Sequence, residues 1–152
     1  MAGSKKKKWT EKHDYAYLFL CIAVIDGELC EAEQEVIRKH MGSWFFGFST
    51  REYADLVRGV GPRLIKRGSG PEFVQQFNKI CRNLMGHMRG DQGLMYLMLR
   101  QLCEVAVADG KVSKSEFKIV QATIKAFEME SFVALRVDRK RVNMRVELHG
   151  GG

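Results

Sequence analysis

The chain contains one short stretch twice, AVIDGELCEAEQEVI from Ala23 to Ile37 and AVADGKVSKSEFKIV from Ala106 to Val120, at a constant offset of 83 residues (109 minus 26). Ala23/Ala106, Val24/Val107, Asp26/Asp109, Gly27/Gly110 and Glu33/Glu116 are identical, while Leu29/Val112, Val36/Ile119 and Ile37/Val120 remain apolar. In each copy an apolar helical run ends at an Asp-Gly pair, where the glycine is free to take a positive φ, and apolar residues at helical spacing resume a few positions later. A duplicated helix-turn-helix restricts the chain to an all-α fold with two pseudo-twofold-related repeats. Its 152 residues suit a single core.

Asp14 stands as a candidate N-cap for YAYLFLCIAVI, a segment apolar on every face and therefore expected as a buried central helix. A second helix is expected from Glu31 to Met41. In the later copy, Ser113 and Glu116 form a capping box, whereas Cys30 stands at the serine position of the earlier copy and is expected to forfeit that half of the box. Ser49 and Glu52 spell another capping box, Pro62 is expected to kink or restart the helix it opens, and Pro71 suits the first position of an amphipathic helix. Arg89-Gly90-Asp91 breaks the chain, with Asp91 as N-cap of a second buried helix, Leu94 to Ala108, followed by an amphipathic one, Lys114 to Phe127. A short helix is expected over Ser131–Leu135. From Arg141 to Leu148 the pattern has period two, read as an extended tail that docks elsewhere. The resulting division is a basic arm (1–13), a helical domain (14–135) and a basic extended tail (136–152).

The net charge of +7 is carried by the ends: +4 in Met1–His13, +3 in Ser131–Gly152, and none between. Lys5, Lys6, Lys7, Lys8 and Trp9, with Arg139, Lys140 and Arg141, therefore make a candidate surface for an anionic membrane or nucleic acid. The longest apolar run, Tyr15–Ile25, is far short of the ~20 residues that span a bilayer, and the basic start has no apolar signal-peptide region; the expected location is the cytoplasm. Cys21, Cys30, Cys81 and Cys103 never approach Cys-x-x-Cys spacing and the four histidines are scattered, so no Cys/His zinc site is expected. Met85, Met88, Met95 and Met98 read as core. Trp44, Phe45, Phe46 and Phe48 form an aromatic loop that either closes the core or offers a partner site. No nucleophile–base pair and no phosphate loop is recognisable, so an enzyme is not expected, nor a small-molecule substrate.

Each repeated turn reads Asp-Gly-x-aliphatic-x-x-x-Glu, matching positions five, six, eight and twelve of an EF-hand loop. Positions one and three, which must supply oxygen, are Ile22 and Val24 in one copy and Val105 and Val107 in the other, which rules the EF-hand out. Two readings of Asp26, Glu33, Asp109 and Glu116 stay open. The aspartates can close Asx-turns while the glutamates cap helices, or the carboxylates of the two turns can share one divalent cation, calcium or magnesium.

Ala23-Val-Ile-Asp-Gly-Glu-Leu-Cys-Glu-Ala-Glu33 and Ala106-Val-Ala-Asp-Gly-Lys-Val-Ser-Lys-Ser-Glu116 resemble the repeated turns of the tellurite-resistance TerB-like family. The resemblance covers most of the chain apart from the basic arm and the period-two tail. It implies an all-helical, non-enzymatic binding or scaffold module of the cytoplasm, at times peripheral to the inner membrane. Such a module serves stress-response, tellurite-resistance or phage-defence systems, works with protein partners, and binds metal through Asp26, Glu33, Asp109 and Glu116. Two departures work against that transfer: Cys30 at a cap, and Lys111 and Lys114 beside the second turn.

Overall fold

The computed structural model describes residues 8–25, 27, 29–67 and 70–149. Six helices, α1 (Glu11–Val24), α2 (Glu31–Trp44), α3 (Thr50–Arg67), α4 (Pro71–His87), α5 (Gln92–Val107) and α6 (Lys114–Ala126), are followed by a hairpin of β1 (Val133–Asp138) and β2 (Asn143–Leu148). Helix α1 is the hub. Every residue from Asp14 to Ala23 is buried, and the helix packs against α2, α3, α4, α5 and α6, as its all-round apolarity requires. Met88, Met95 and Met98 are buried in the same core, and Cys21, Cys81 and Cys103 are buried free thiols.

The repeats fold as α1–turn–α2 and α5–turn–α6, and their turns share bonds at the 83-residue offset. Gly27 N–H donates to the Val24 carbonyl (3.1 Å) and Gly110 N–H to the Val107 carbonyl (3.0 Å). Both glycines sit at positive φ, 148° and 82°, where a β-carbon would be strained. The helix starts also match. Glu33 Oε1 accepts from Cys30 N–H (3.1 Å) and Glu116 Oε1 from Ser113 N–H (3.0 Å). The box is kept at Cys30, contrary to the sequence expectation. Its Sγ accepts from Glu33 N–H at 3.5 Å, because sulfur is large enough to reach from the same position, as a weaker acceptor than the Ser113 hydroxyl at 3.0 Å.

Four further expectations change. Helix α1 begins three residues before Asp14, on Thr10 as N-cap with His13 completing the box, so residues 11–13 belong to the helical body and not to an arm. Lys12 in that first turn pairs with Glu52 of α3 at 2.5 Å. Of the kink or restart expected at Pro62, the restart does not occur, since α3 is continuous from Thr50 to Arg67; the proline is exposed, so the Arg58 carbonyl that loses its intrahelical donor lies on the solvent side, where water can replace it. The segment Ser131–Leu135 is not helical. Val133 opens β1, which pairs antiparallel with β2 from Val133↔Leu148 to Asp138↔Asn143, so the period-two segment folds back on its own neighbour. The turn is set by Asp138, whose carboxylate accepts from the backbone N–H groups of Lys140 (3.1 Å) and Arg141 (3.3 Å). Val133, Met144 and Val146 bury the inner face, β2 lies on α5, and Arg136 and Arg145 face outward.

Candidate metal centre

The two corners meet. One oxygen from each of Glu33, Asp109 and Glu116 lies within 4.8 Å of the others, the one cluster of ligating side chains of this kind among the described residues. Glu33 is 1% exposed and Glu116 0%, with Asp109 half-buried at the rim. The placement follows from the caps. Helix α2 starts at Glu31 and α6 at Lys114, so the glutamate at the third position of each turns back over its own N-terminus, and the contacts of α2 with α5 and of α5 with α6 bring those N-termini to one side. Two helix N-termini contribute partial positive charge, which partly offsets the gathered carboxylates. Asp109 is also an Asx-turn, its Oδ1 accepting from Lys111 N–H at 2.9 Å. Turn architecture and carboxylate clustering thus coexist in the same side chains. Asp26, the counterpart of Asp109, lies outside the described residues. Lys111 and Lys114 are exposed.

The donor set fits a hard cation. Oxygens bind calcium at about 2.3–2.6 Å, so two ligands on opposite sides of one ion stand roughly 4.6–5.2 Å apart, the scale of this cluster. The thiols do not compete for the role: burial pushes Cys21 and Cys103 up to about 12 and raises Cys81 as well, so they remain protonated.

The other candidate residues are dispersed. Trp9 is half-buried, under the guanidinium of Arg63 (4.2 Å) and against His13 (4.9 Å), and its indole N–H donates to Asp14 (2.9 Å), so it is not an exposed interfacial aromatic. Lys8 is exposed, and Lys5, Lys6 and Lys7 lie outside the described residues. Arg139, Lys140 and Arg141 are exposed at the hairpin turn. The aromatic loop divides. Trp44, Phe45 and Phe48 pack on the core, Trp44 also donating to Gln101 Oε1 (2.5 Å), while Phe46 is fully exposed at 106%.

Sequence reasoning missed a polar cluster around Asp14. This carboxylate, 3% exposed, accepts from Trp9, from Asn83 Nδ2 (3.3 Å) and from His87 Nε2 (2.8 Å), tying the start of α1 to the end of α4. His40 is a second case: buried on α2, it meets Glu104 of α5 at 2.9 Å, yet burial outweighs that carboxylate and holds its pKa below the usual imidazole range.

Among the described residues no helix is long and apolar enough to cross a membrane. The chain matches no curated protein and no solved structure significantly. Residues 14–136 match the model of the family described as "Tellurite resistance protein TerB", a span running from Asp14, the first buried residue of α1, through both acidic corners into β1. The chain therefore belongs to the TerB family.

Proposed function

We propose that the chain is a non-catalytic TerB-family binding module of the cytoplasm that holds one divalent hard cation, calcium or magnesium, between its two acidic corners. The observation that carries this reading is the convergence of Glu33, Asp109 and Glu116 within 4.8 Å, from turns 83 residues apart in sequence. Gathering three carboxylates, two of them buried, is unfavourable unless positive charge compensates, and a small cation of high charge does so with the ligands present. Each glutamate also caps its own helix through Oε1, so an ion held by the two carboxylates would join the α1–α2 and α5–α6 corners. The repeat gives Asp26 the same standing as a fourth ligand. In this role the ion is structural and regulatory: loading it stiffens the contact between the repeats and alters the surface offered to a partner protein in a stress-response or tellurite-resistance system.

A calcium or magnesium titration followed by thermal unfolding tests the proposal. At a hundredfold excess over Kd, an ion specific to the folded state adds about 2.7 kcal/mol, or roughly 5–10 °C in Tm for a chain of this size. Glu33→Gln and Glu116→Gln, which preserve a cap acceptor, are expected to abolish the rise. A Tm unchanged at millimolar ion, or an equal rise in both variants, would refute it.

A further inference from the structure

The hairpin extends beyond the family-matched span, which ends at residue 136, and its two edges are unlike. The bond from His149 N–H to the Phe132 carbonyl (2.7 Å) fixes the phase of the ladder. With the register Ala134↔Glu147 and Arg136↔Arg145, those pairs exchange the main-chain bonds, and the N–H and C=O groups of Leu135 and Val137 point away from β2. On the far edge the same phase turns the Val146 carbonyl outward, where the Tyr96 hydroxyl of α5 donates to it (3.1 Å). On the β1 edge, Val133 N–H is taken by the Met129 carbonyl (3.1 Å), while Leu135 and Val137 have no backbone partner among the described residues. Beside that edge runs a cleft of about 480 Å3, walled by Lys118, Gln121 and Lys125 of α6 and by Val133 and Leu135 of β1.

We infer that the β1 edge is a strand-addition site for an acidic, extended segment of a partner protein, laid between β1 and α6. Main-chain bonds from Leu135 and Val137 supply the pairing, and alternate side chains of the added strand meet Val133 and Leu135 on one face. The charge selects the partner. Lys118 and Lys125 line the cleft against one acid, Glu130, and the hairpin carries Arg136, Arg139, Lys140, Arg141 and Arg145 against Asp138 and Glu147, a net +3. A second copy is disfavoured by the same charges, since antiparallel pairing centred on residue 136 sets Arg136 opposite Arg136. A short, basic edge also serves to repel indiscriminate pairing, and the experiment separates the two roles. The inference goes beyond the proposed function and needs no ion at the acidic corners.

The test titrates the full-length, 15N-labelled protein with a capped peptide of about seven residues alternating Val and Glu, and with its Val/Lys counterpart. Expected are shifts at the Leu135 and Val137 amides, with their exchange slowed roughly tenfold or more by the acidic peptide only. Val137→Pro removes an outward N–H without touching the bonds to β2 and is expected to weaken binding about tenfold. Cross-strand contacts between Ala134 and Glu147 report whether its hairpin survives. Lys118→Glu/Lys125→Glu, located on α6, is expected to weaken the acidic peptide even if the proline variant misfolds. Equal response to both peptides, shifts confined to other residues, or no response at millimolar peptide would overturn the inference. So would concentration-dependent self-association that Val137→Pro abolishes, which would make a second copy the occupant.

Discussion

Replacing Asp14 isolates a contact on which the start of the fold depends. Its carboxylate accepts from Trp9 (2.9 Å), Asn83 (3.3 Å) and His87 (2.8 Å) in a site only 3% exposed. A hydrogen bond to a charged group contributes about 1.5–3 kcal/mol, but the three donors are not additive. The His87 side chain is 28% exposed and recovers part of its loss from water. Asp14→Asn, which keeps size and one acceptor, is therefore expected to lose about 1–2 kcal/mol, and Asp14→Leu, which leaves all three donors without it, about 3 kcal/mol. At roughly 2–4 °C per kcal/mol, the leucine variant should melt about 6–12 °C below wild type. Urea unfolding gives the free energies. In a Trp44→Phe background, where Trp9 is the sole indole, fluorescence reports its release: a red shift in Asp14→Leu under native conditions. Loss below about 0.5 kcal/mol in both variants, the usual range for a surface change, with unshifted Trp9 emission, would refute the reasoning.

The capping boxes provide an internal comparison. Cys30→Ser should stabilise by about 0.5–1 kcal/mol and Ser113→Cys destabilise by a similar amount, measured by urea unfolding; no change in either direction would show that sulfur and oxygen cap equally here. Because His40 has a folded pKa below its ordinary 6.5, chiefly through burial, the unfolded chain takes up that proton first. Its contribution is fully present above about pH 6.5 and is lost as pH falls through the folded value. Unfolding free energies measured from pH 7.5 to 5 should show a fall that His40→Gln flattens; identical slopes would contradict this assignment. Phe46→Ser, at a fully exposed position, should leave stability within about 0.5 kcal/mol of wild type, whereas Phe45→Ser, whose ring meets Tyr15 at 5.0 Å edge-on, should lose about 2–3 kcal/mol; equal losses would contradict the division of the aromatic loop.

What the sequence reveals here is what repeats or what acts locally. The duplicated turn, the Ser113–Glu116 box, Asp91 as an N-cap and Pro71 at a first helical position all depend on neighbours within about four residues. The buried state of α1 follows from apolarity on every face. Asp14 was less legible because its partners Asn83 and His87 lie 69 and 73 residues away, with no spacing to announce them. Trp9 beside four lysines looks interfacial, yet Arg63, 54 residues on (63 minus 9), covers it. In β1 the alternation of Val133, Leu135 and Val137 is blurred by Ala134, which suits a helix equally well, so only β2 displays its period. The acidic centre was legible as residue types but not as a place. That Glu33 and Glu116 approach each other depends on the packing of α2, α5 and α6, a tertiary fact.

Paramagnetic broadening by manganese, a stand-in for magnesium and calcium among oxygen ligands, locates an ion directly in the 15N-labelled protein. A single shared site predicts that substoichiometric manganese broadens the amides around Glu33, Asp109 and Glu116 together, that calcium reverses it, and that Glu33→Gln removes the effect at the second turn as well as the first. Broadening confined to one turn, spread over exposed acids elsewhere, or unaltered in that variant would contradict an ion held between the two corners.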